Sequence, residues 1–536
     1  MGKVSSRANV GLCPLYLVYF HIQLHSMLIK ANRLSIHRNR GLLVLNLLTL
    51  IIMLDGCKQA TTDKPKSNEA KRIDSYLQEL VQRQQIPGLT VAATRNDSVV
   101  YVGAFGVRNV VTKEPMKPTN IFHWASVSKT FVATAMMQLV EKGKINLDEK
   151  LITYLPYFRQ QGEDYKKITI RQMLNHTSGI GDVEDYEWNK PAYDKAAPKR
   201  YVESLANDKM LFAPGTGMAY SNTAFEILGV VISQVSGMPF ETYIKENIFK
   251  LLEMNHTSFI YPEIPDSLRV SGHLWANKPI VSDVYPYNRI HAPSSTLNSN
   301  VVEMTHYAIA NLNHGKYKNV RILADSSYKI LWTNSVNLKD RSPVGVSWFL
   351  DEYRGLKTVG HGGGDTGFRS FILLIPEKNI SVVLASNYEL TQSGDITRAV
   401  IDVLLGEKPP IIKQPIGFPF AGVLSSQGLE KAKAFYKKTS EDSIQRKYYF
   451  WDEKESALTN PGYELLDRKM TDEAIELFKF NLELNPNSAQ AYGNLGVAYS
   501  QIGNKDDAKL NLAKALKLDP TNKGFKEELR KLSERK

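Results

Sequence analysis

Apolar residues return every three to four positions from Glu69 to about Gln84, placing Ile73, Tyr76, Leu77, Leu80 and Val81 on one side of a predicted helix. Ile86-Pro87-Gly88 stops it. Two strand-like runs, Leu89–Arg95 and Val99–Gly103, then flank Asn96-Asp97, the signature of an antiparallel hairpin. Helical spacing dominates the middle of the chain. Its clearest stretch opens near Ser126 and runs to about Glu141, with Phe131, Val132, Ala135, Met136, Leu139 and Val140 apolar and Gly143 as the stop. Strand signals return at Thr358–His361, Phe371–Ile375 and Ser381–Ser386, the last two joined through Pro376-Glu377-Lys378-Asn379, and Arg398–Leu405 is again helical. Strands at both ends with helices between predict an α+β fold over residues 69–405: one antiparallel sheet built from distant sequence, flanked by helices and carrying a helical insertion.

Beyond this unit the pattern changes. Residues 406–455 pass through Pro409-Pro410, Pro415 and Pro419 and then a charged helical stretch, and read as a connector. In residues 456–536, Pro486 and Pro520 stand 34 residues apart, and Asp472-Glu473-Ala474 matches Asp506-Asp507-Ala508 at the same offset. A 34-residue period of paired helices resembles the tetratricopeptide repeat, giving an all-α tail. Tyr492, Leu495, Gly496, Tyr499, Ala508, Ala515 and Pro520 fall on its signature positions; the earlier copy keeps Gly462, Leu465, Ala474, Phe478 and Pro486 but has Pro461 where leucine is usual. Two copies are fewer than the roughly three needed for independent stability, so the tail is expected to lean on its neighbours. Such stacks imply a protein partner.

The N-terminus reads as an address. His37-Arg38-Asn39-Arg40 precedes an apolar run from Gly41 to Leu54 and then Asp55-Gly56-Cys57, the order of a secretory leader over residues 1–57. The run is shorter than the about 20 residues that span a bilayer. Leu54, Gly56 and Cys57 also resemble the bacterial lipoprotein signal, which implies lipidation at Cys57, a polar tether over 58–68, export to the bacterial cell envelope and lipid anchoring to a membrane. The net charge of +12 does not alter this picture, because Lys3, Arg7, Lys30, Arg33, Arg38 and Arg40 stand against Asp55 alone within the leader. The rest is too dilute for a nucleic-acid footprint. The only two cysteines, Cys13 and Cys57, precede the globular region, so no disulfide framework can form.

The segment Trp124-Ala125-Ser126-Val127-Ser128-Lys129 carries candidate chemistry. A serine at a helix start and a lysine three residues later share one face, one turn apart. An ordinary lysine pKa of about 10.4 makes a poor base, but burial in an apolar helix lowers it. The helix N-terminus offers N–H groups to a developing oxyanion. Alone the spacing is weak; Ser326–Lys329 repeats it by chance on a surface helix. Two further segments raise its weight: Tyr220-Ser221-Asn222 at the mouth of an apolar helix, and His361-Gly362-Gly363-Gly364 at the end of a strand-like stretch.

The order Ser126–Lys129, Tyr220–Asn222, His361–Gly363, with Ile168–Ile180 between the first two, resembles the class C β-lactamase and D-alanyl-D-alanine carboxypeptidase superfamily over roughly residues 70–405. The resemblance implies that Ser126 is the acylated nucleophile and Lys129 its proton acceptor, and that Tyr220 shares the base role and protonates the leaving group. It further implies that Asn222 orients Lys129, that His361 and Gly363 form the third, substrate-binding motif, and that the backbone N–H groups of Ser126 and Gly364 form the oxyanion hole. Lactamases of this class carry Lys-Thr-Gly at the third motif; His361 is mostly neutral near pH 7, which weighs against lactamase activity. His176 reads as structural. Residues 181–200, with Tyr186, Trp188 and Tyr193, read either as a pocket-lining loop or as plain surface. No metal or cofactor is implied. The expected activity is that of an envelope serine hydrolase acting on a small peptide or ester, with a β-lactamase, or a non-catalytic scaffold binding proteins through its repeats, as the alternatives.

Overall fold

A computed structural model describes residues 67–336, 343–451 and 456–534; the leader, Cys57 and the tether up to residue 66 lie outside the described residues. Helix α1 (Asn68–Arg83) begins inside the expected tether because Ser67 caps it, its Oγ accepting from the Ala70 N–H at 3.1 Å. It is followed by β1 (Gly88–Arg95) and β2 (Ser98–Gly106), then by α2 (Ser128–Glu141) and α3 (Asn222–Ser236) of the helical insertion and by α4 (Val301–Leu312). The sheet is completed by β3 (Phe349–Tyr353), β4 (Leu356–Asp365), β5 (Phe368–Ile375) and β6 (Ile380–Ser386), and α5 (Ser393–Leu404) closes the unit.

The six strands lie in the order β2-β1-β6-β5-β4-β3, every neighbouring pair antiparallel. β1 therefore pairs with β6, so the two ends of the unit meet in mid-sheet, as the α+β expectation requires. One face packs on the helical insertion through Phe131, Met136, Ile372 and Val383; the other packs on α1 and α5 through Leu77, Leu80, Val382 and Val400. Two elements differ from expectation. β3 was not anticipated, and β4 runs on through Gly362, Gly363 and Gly364 rather than ending at His361, because hydrogen bonding to β5 outweighs the weak strand propensity of glycine. Helix α2 is buried on every side from Ser128 to Leu139 rather than along one stripe.

The C-terminal region continues the second core. The segment expected as a connector folds into an antiparallel helix pair, α6 (Gly417–Gln427) and α7 (Leu429–Glu441), stacked on α8 (Ser456–Asp467) and α9 (Thr471–Leu484) through Phe420 and Phe480, whose rings lie 4.8 Å apart. α10 (Ala489–Gln501), α11 (Lys505–Leu518) and α12 (Lys523–Glu534) complete the stack. Gly462 and Gly496, one repeat period apart, allow close helix approaches: a Cβ would lie 2.2 Å from Phe478 and 2.8 Å from Leu512 respectively. No single helix among the described residues is long and apolar enough to cross a membrane.

Candidate active site

Between Ile121 and Leu139 every residue is buried except Ser126, which reaches the surface in part. Its presentation is built by the backbone. Ala125 holds φ +46°, a left-handed conformation that costs a non-glycine residue of order 1–3 kcal/mol and persists only where the surroundings impose it. They do so here: Trp124 N–H donates to Leu297 O at 2.7 Å, Trp124 Nε1 to Ser299 O at 2.9 Å, and Ser370 Oγ to Trp124 O at 2.7 Å. Helix α2 then starts two residues after Ser126, and the Lys129 N–H closes the turn on Ser126 O at 3.0 Å.

Lys129 is fully buried and points at three oxygens: Ser126 Oγ at 3.0 Å, Asn222 Oδ1 at 2.5 Å and Ser294 O at 2.7 Å. Asn222 Oδ1 and Ser294 O can only accept. A neutral amine that donates to both therefore turns its lone pair toward the Ser126 hydroxyl. Burial lowers the Lys129 pKa to about 7, against the opposing pull of the Glu226, Asp365 and Asp182 carboxylates. The ring of Tyr220 lies 4.9 Å from Lys129 Nζ, and burial raises its pKa, keeping the phenol protonated.

Two helix starts thus converge: α2 brings Ser126 and Lys129, and α3, capped by Ser221 Oγ on the Ala224 N–H at 3.1 Å, brings Tyr220 and Asn222. Strand β4 supplies the third wall. His361 and Gly363 face the helices: a Cβ on Gly363 would lie 2.2 Å from Trp124 O and 2.3 Å from Ser370 Oγ, so only glycine permits this approach. His361 Nδ1 donates to Gly362 O at 2.7 Å, and burial, reinforced by Lys129, lowers its pKa to about 3, leaving it neutral. Gly364 pairs with Arg369 of β5, and β4 pairs with β3 only over Leu356–Gly360, so among the described residues no strand covers the outer edge of β4 beside Ser126.

Four residues not singled out from the sequence complete the site. The Asp182 carboxylate accepts from the Asn222 N–H at 2.7 Å and from Asn222 Nδ2 at 3.1 Å, so Asn222 Oδ1 is turned to Lys129. Glu226, fully buried on α3, accepts from Ser294 Oγ at 2.5 Å and His291 Nδ1 at 3.1 Å, fixing the turn whose carbonyl receives Lys129. His176 is structural in a specific way: it stacks on Tyr220 at 4.3 Å, and its Nδ1 accepts the Ser221 N–H at 3.2 Å. Of the loop aromatics, Tyr186 and Trp188 stack on each other at 4.7 Å and flank His291, whereas Tyr193 is 55% exposed and pairs with Tyr287. The loop ends where a helix begins at Ala197, because Pro198 occupies its first turn. The second serine–lysine pair, Ser326 and Lys329, is exposed.

Residues 73–405 match the family model described as Beta-lactamase. The chain belongs to this family. Residues 489–522 match the tetratricopeptide repeat model. Among relatives of the Beta-lactamase unit, Protein flp of Staphylococcus aureus (strain MW2) is 28% identical over 327 residues, which cover 60% of this chain and 64% of that protein's length. Penicillin-binding protein 4* of Bacillus subtilis (strain 168) is 26% identical over 375 residues, covering 65% of this chain and 79% of that protein. The octameric penicillin-binding protein homologue from Pyrococcus abyssi superposes with a TM-score of 0.57 at 25% identity, covering 63% of this chain and 78% of that one. A class C β-lactamase superposes with a TM-score of 0.54 at 19% identity, covering 64% and 98% respectively, a likeness of fold.

Proposed function

We propose that the chain is a cell-envelope serine hydrolase that acts through an acyl-enzyme on Ser126 and hydrolyses a peptide, of the D-amino-acid type, or an ester. The observation that carries the reading is the Lys129 amine, lowered to a pKa of about 7 and placed 3.0 Å from Ser126 Oγ. In the forward step, neutral Lys129 takes the Ser126 proton while Oγ bonds to the substrate carbonyl carbon. The oxyanion forms against the Ser126 and Gly364 N–H groups. As the tetrahedral species collapses, Tyr220 gives its proton to the leaving amine or alcohol and regains one from Lys129. Water, deprotonated by the same pair, then releases the acid and restores Ser126. A peptide substrate is supported by the uncovered edge of β4, which can take an extended chain as an added strand.

Charge separates the readings. The groups that act on Lys129 from the surrounding elements are the carboxylates of Glu226, Asp365 and Asp182, and the third motif offers neutral His361 where a lactamase carries a cation. Neutral acyl donors suit this cleft better than the carboxylate of a β-lactam, which makes the β-lactamase the second reading. Envelope location and lipid anchoring at Cys57 rest on the leader pattern of residues 1–57. A protein partner for the helical repeats is part of the same proposal.

The test is intact mass and turnover of the purified chain and its Ser126→Ala variant with p-nitrophenyl acetate and with a simple penicillin. Ester turnover that falls at least about a thousandfold in a folded Ser126→Ala variant supports the acyl-enzyme. Ester turnover equal in both proteins overturns it, and penicillin consumed faster than ester selects the lactamase.

A further inference from the structure

One carboxylate ties the end of β4 to the segments packed beside it. Asp365 stands two residues beyond Gly363 and so on the same face of the strand. Its Oδ2 accepts from His123 Nε2 at 2.7 Å and from the Ser295 hydroxyl. His123 lies three residues before Ser126, Ser295 directly follows the Ser294 carbonyl that receives Lys129, and Asp365 directly follows Gly364. A single oxygen atom thus joins three segments, each of which delivers a different part of the site.

The other two segments are aligned without Asp365. Trp124 N–H donates to Leu297 O at 2.7 Å, and Leu297 N–H donates to Ser128 Oγ at 3.0 Å. The sheet reaches them at two points. Ser370 Oγ, opposite Gly363 on β5, donates to Trp124 O; Asp365 supplies the second point, beyond Gly364. Arg369 Nη1 closes the turn between the strands on Asp365 O at 3.0 Å and Phe368 O at 2.8 Å, but these bonds stay within β4 and β5. Gly364 therefore lies between two attachments, where one alone would leave the strand end free to swing. That freedom matters, because an oxyanion donor works only within about 2.7–3.1 Å of the oxygen it stabilises.

Packing does not account for these residues. His123 is fully buried, with the rings of Phe368 and Tyr285 centred 5.7 and 5.9 Å from its own, and the Asp365 side chain is 10% exposed. His123 Nδ1 is buried without a hydrogen-bond partner. A carboxylate taken out of water loses several kcal/mol of solvation unless hydrogen bonds replace it, and an unpartnered buried nitrogen costs about 1–3 kcal/mol more. Apolar side chains of the same volume would fill the space without either loss; a fixed geometry explains the polar choice.

We propose that Asp365 is a positioning residue for the reaction at Ser126, holding the Gly364 N–H, the Ser294 carbonyl and the Ser126 segment at fixed separations. The proposal rests on the acyl-enzyme reading, in which Asp365 touches no reacting atom.

Steady-state kinetics with p-nitrophenyl acetate, taken about two pH units above the Lys129 value so that this amine is deprotonated in every variant, are paired with denaturant unfolding. Asp365→Ala is expected to lower kcat at least about tenfold while KM changes less than about threefold, since the oxyanion gains its charge only in the transition state. Asp365→Asn keeps an oxygen that accepts from both donors, and is expected to recover all but about threefold of that loss, which a role for the negative charge itself would not allow. Ser295→Ala and His123→Phe each remove one donor; each lowers kcat in the parent chain and changes it far less in Asp365→Ala, where the acceptor is gone. Where Asp365→Ala does not fold, Ser295→Ala, the loss of one small hydroxyl, takes its place. A kcat within about twofold of the parent in the folded variant, whatever happens to stability, overturns the proposal. So does Asp365→Asn as slow as Asp365→Ala, or losses that simply add. Ester turnover equal in Ser126→Ala overturns the acyl-enzyme reading and this assignment with it; turnover lost in Ser126→Ala and kept in Asp365→Ala overturns this assignment alone.

Discussion

Lys129 must lose a proton before it can take one from Ser126, so kcat/KM for a neutral ester is expected to rise with pH through about 7, the value burial imposes on this amine. Tyr220 does not contribute to that limb, since its pKa is raised. Glu226 sets where the limb lies. Its carboxylate is the largest of the charges that favour the ammonium form of Lys129, so Glu226→Gln removes that support, lets the amine deprotonate at lower pH and moves the acid limb toward more acidic values. A pH–rate profile of the folded variant checks this, and an unmoved limb shows that Lys129 does not feel Glu226. The sequence made Ser126, Lys129, Tyr220 and Asn222 readable because each pair sits inside one short segment that opens a helix. Glu226, His291, Ser294 and Asp182 were not readable in this way. A glutamate amid apolar helix residues has no local signature, and its partners at positions 291 and 294 meet it only through tertiary packing.

The sheet delivers the third motif by close approach, and that approach can be tested. Gly363→Ala places a methyl 2.2 Å from Trp124 O and 2.3 Å from Ser370 Oγ, so β4 must retreat from the segment that presents Ser126 or the Ser370–Trp124 hydrogen bond must break. A loss of about 1–3 kcal/mol in unfolding free energy is expected, as for other overpacked interiors. Activity is expected to fall further than stability, because the retreat also moves the Gly364 N–H away from the carbonyl it would polarise. Denaturant unfolding and ester turnover of the variant separate the two effects; Gly364→Ala, whose Cβ meets only the Arg369 side chain at 3.3 Å, is the milder control. The strands with alternating or continuous apolar runs, β1, β5 and β6, could be read from sequence. β3 could not: Phe349-Leu350-Asp351-Glu352-Tyr353 carries two acids on an edge exposed to water. The three glycines of β4 look like a loop until β5 is there to pair with them.

The helical stack is expected to unfold together with the catalytic unit rather than as an independent tail. The apolar residues of its first part, among them Ile416, Phe420, Leu465 and Phe478, belong to the same buried cluster as Leu373, Val382 and Val400 of the sheet and α5, so separating the two exposes both, while Ala508, Leu512 and Phe525 of α11 and α12 form a smaller cluster of their own. One ion pair crosses this boundary with good geometry: Arg468 Nη2 lies 2.8 Å from both Glu389 oxygens, and Glu389 also accepts the Trp275 N–H at 2.6 Å. The Glu389 side chain is 11% exposed, so Arg468→Ala leaves a largely buried carboxylate without its counter-charge. That loss is expected to cost about 1–3 kcal/mol. Because the core is continuous, the cost should appear as a lower midpoint of one cooperative thermal transition, seen alike by far-ultraviolet circular dichroism and by loss of ester turnover. Two resolved transitions, with turnover tracking only one of them, would mean that the stack is a separate folding unit and that Arg468 merely decorates a contact between neighbours.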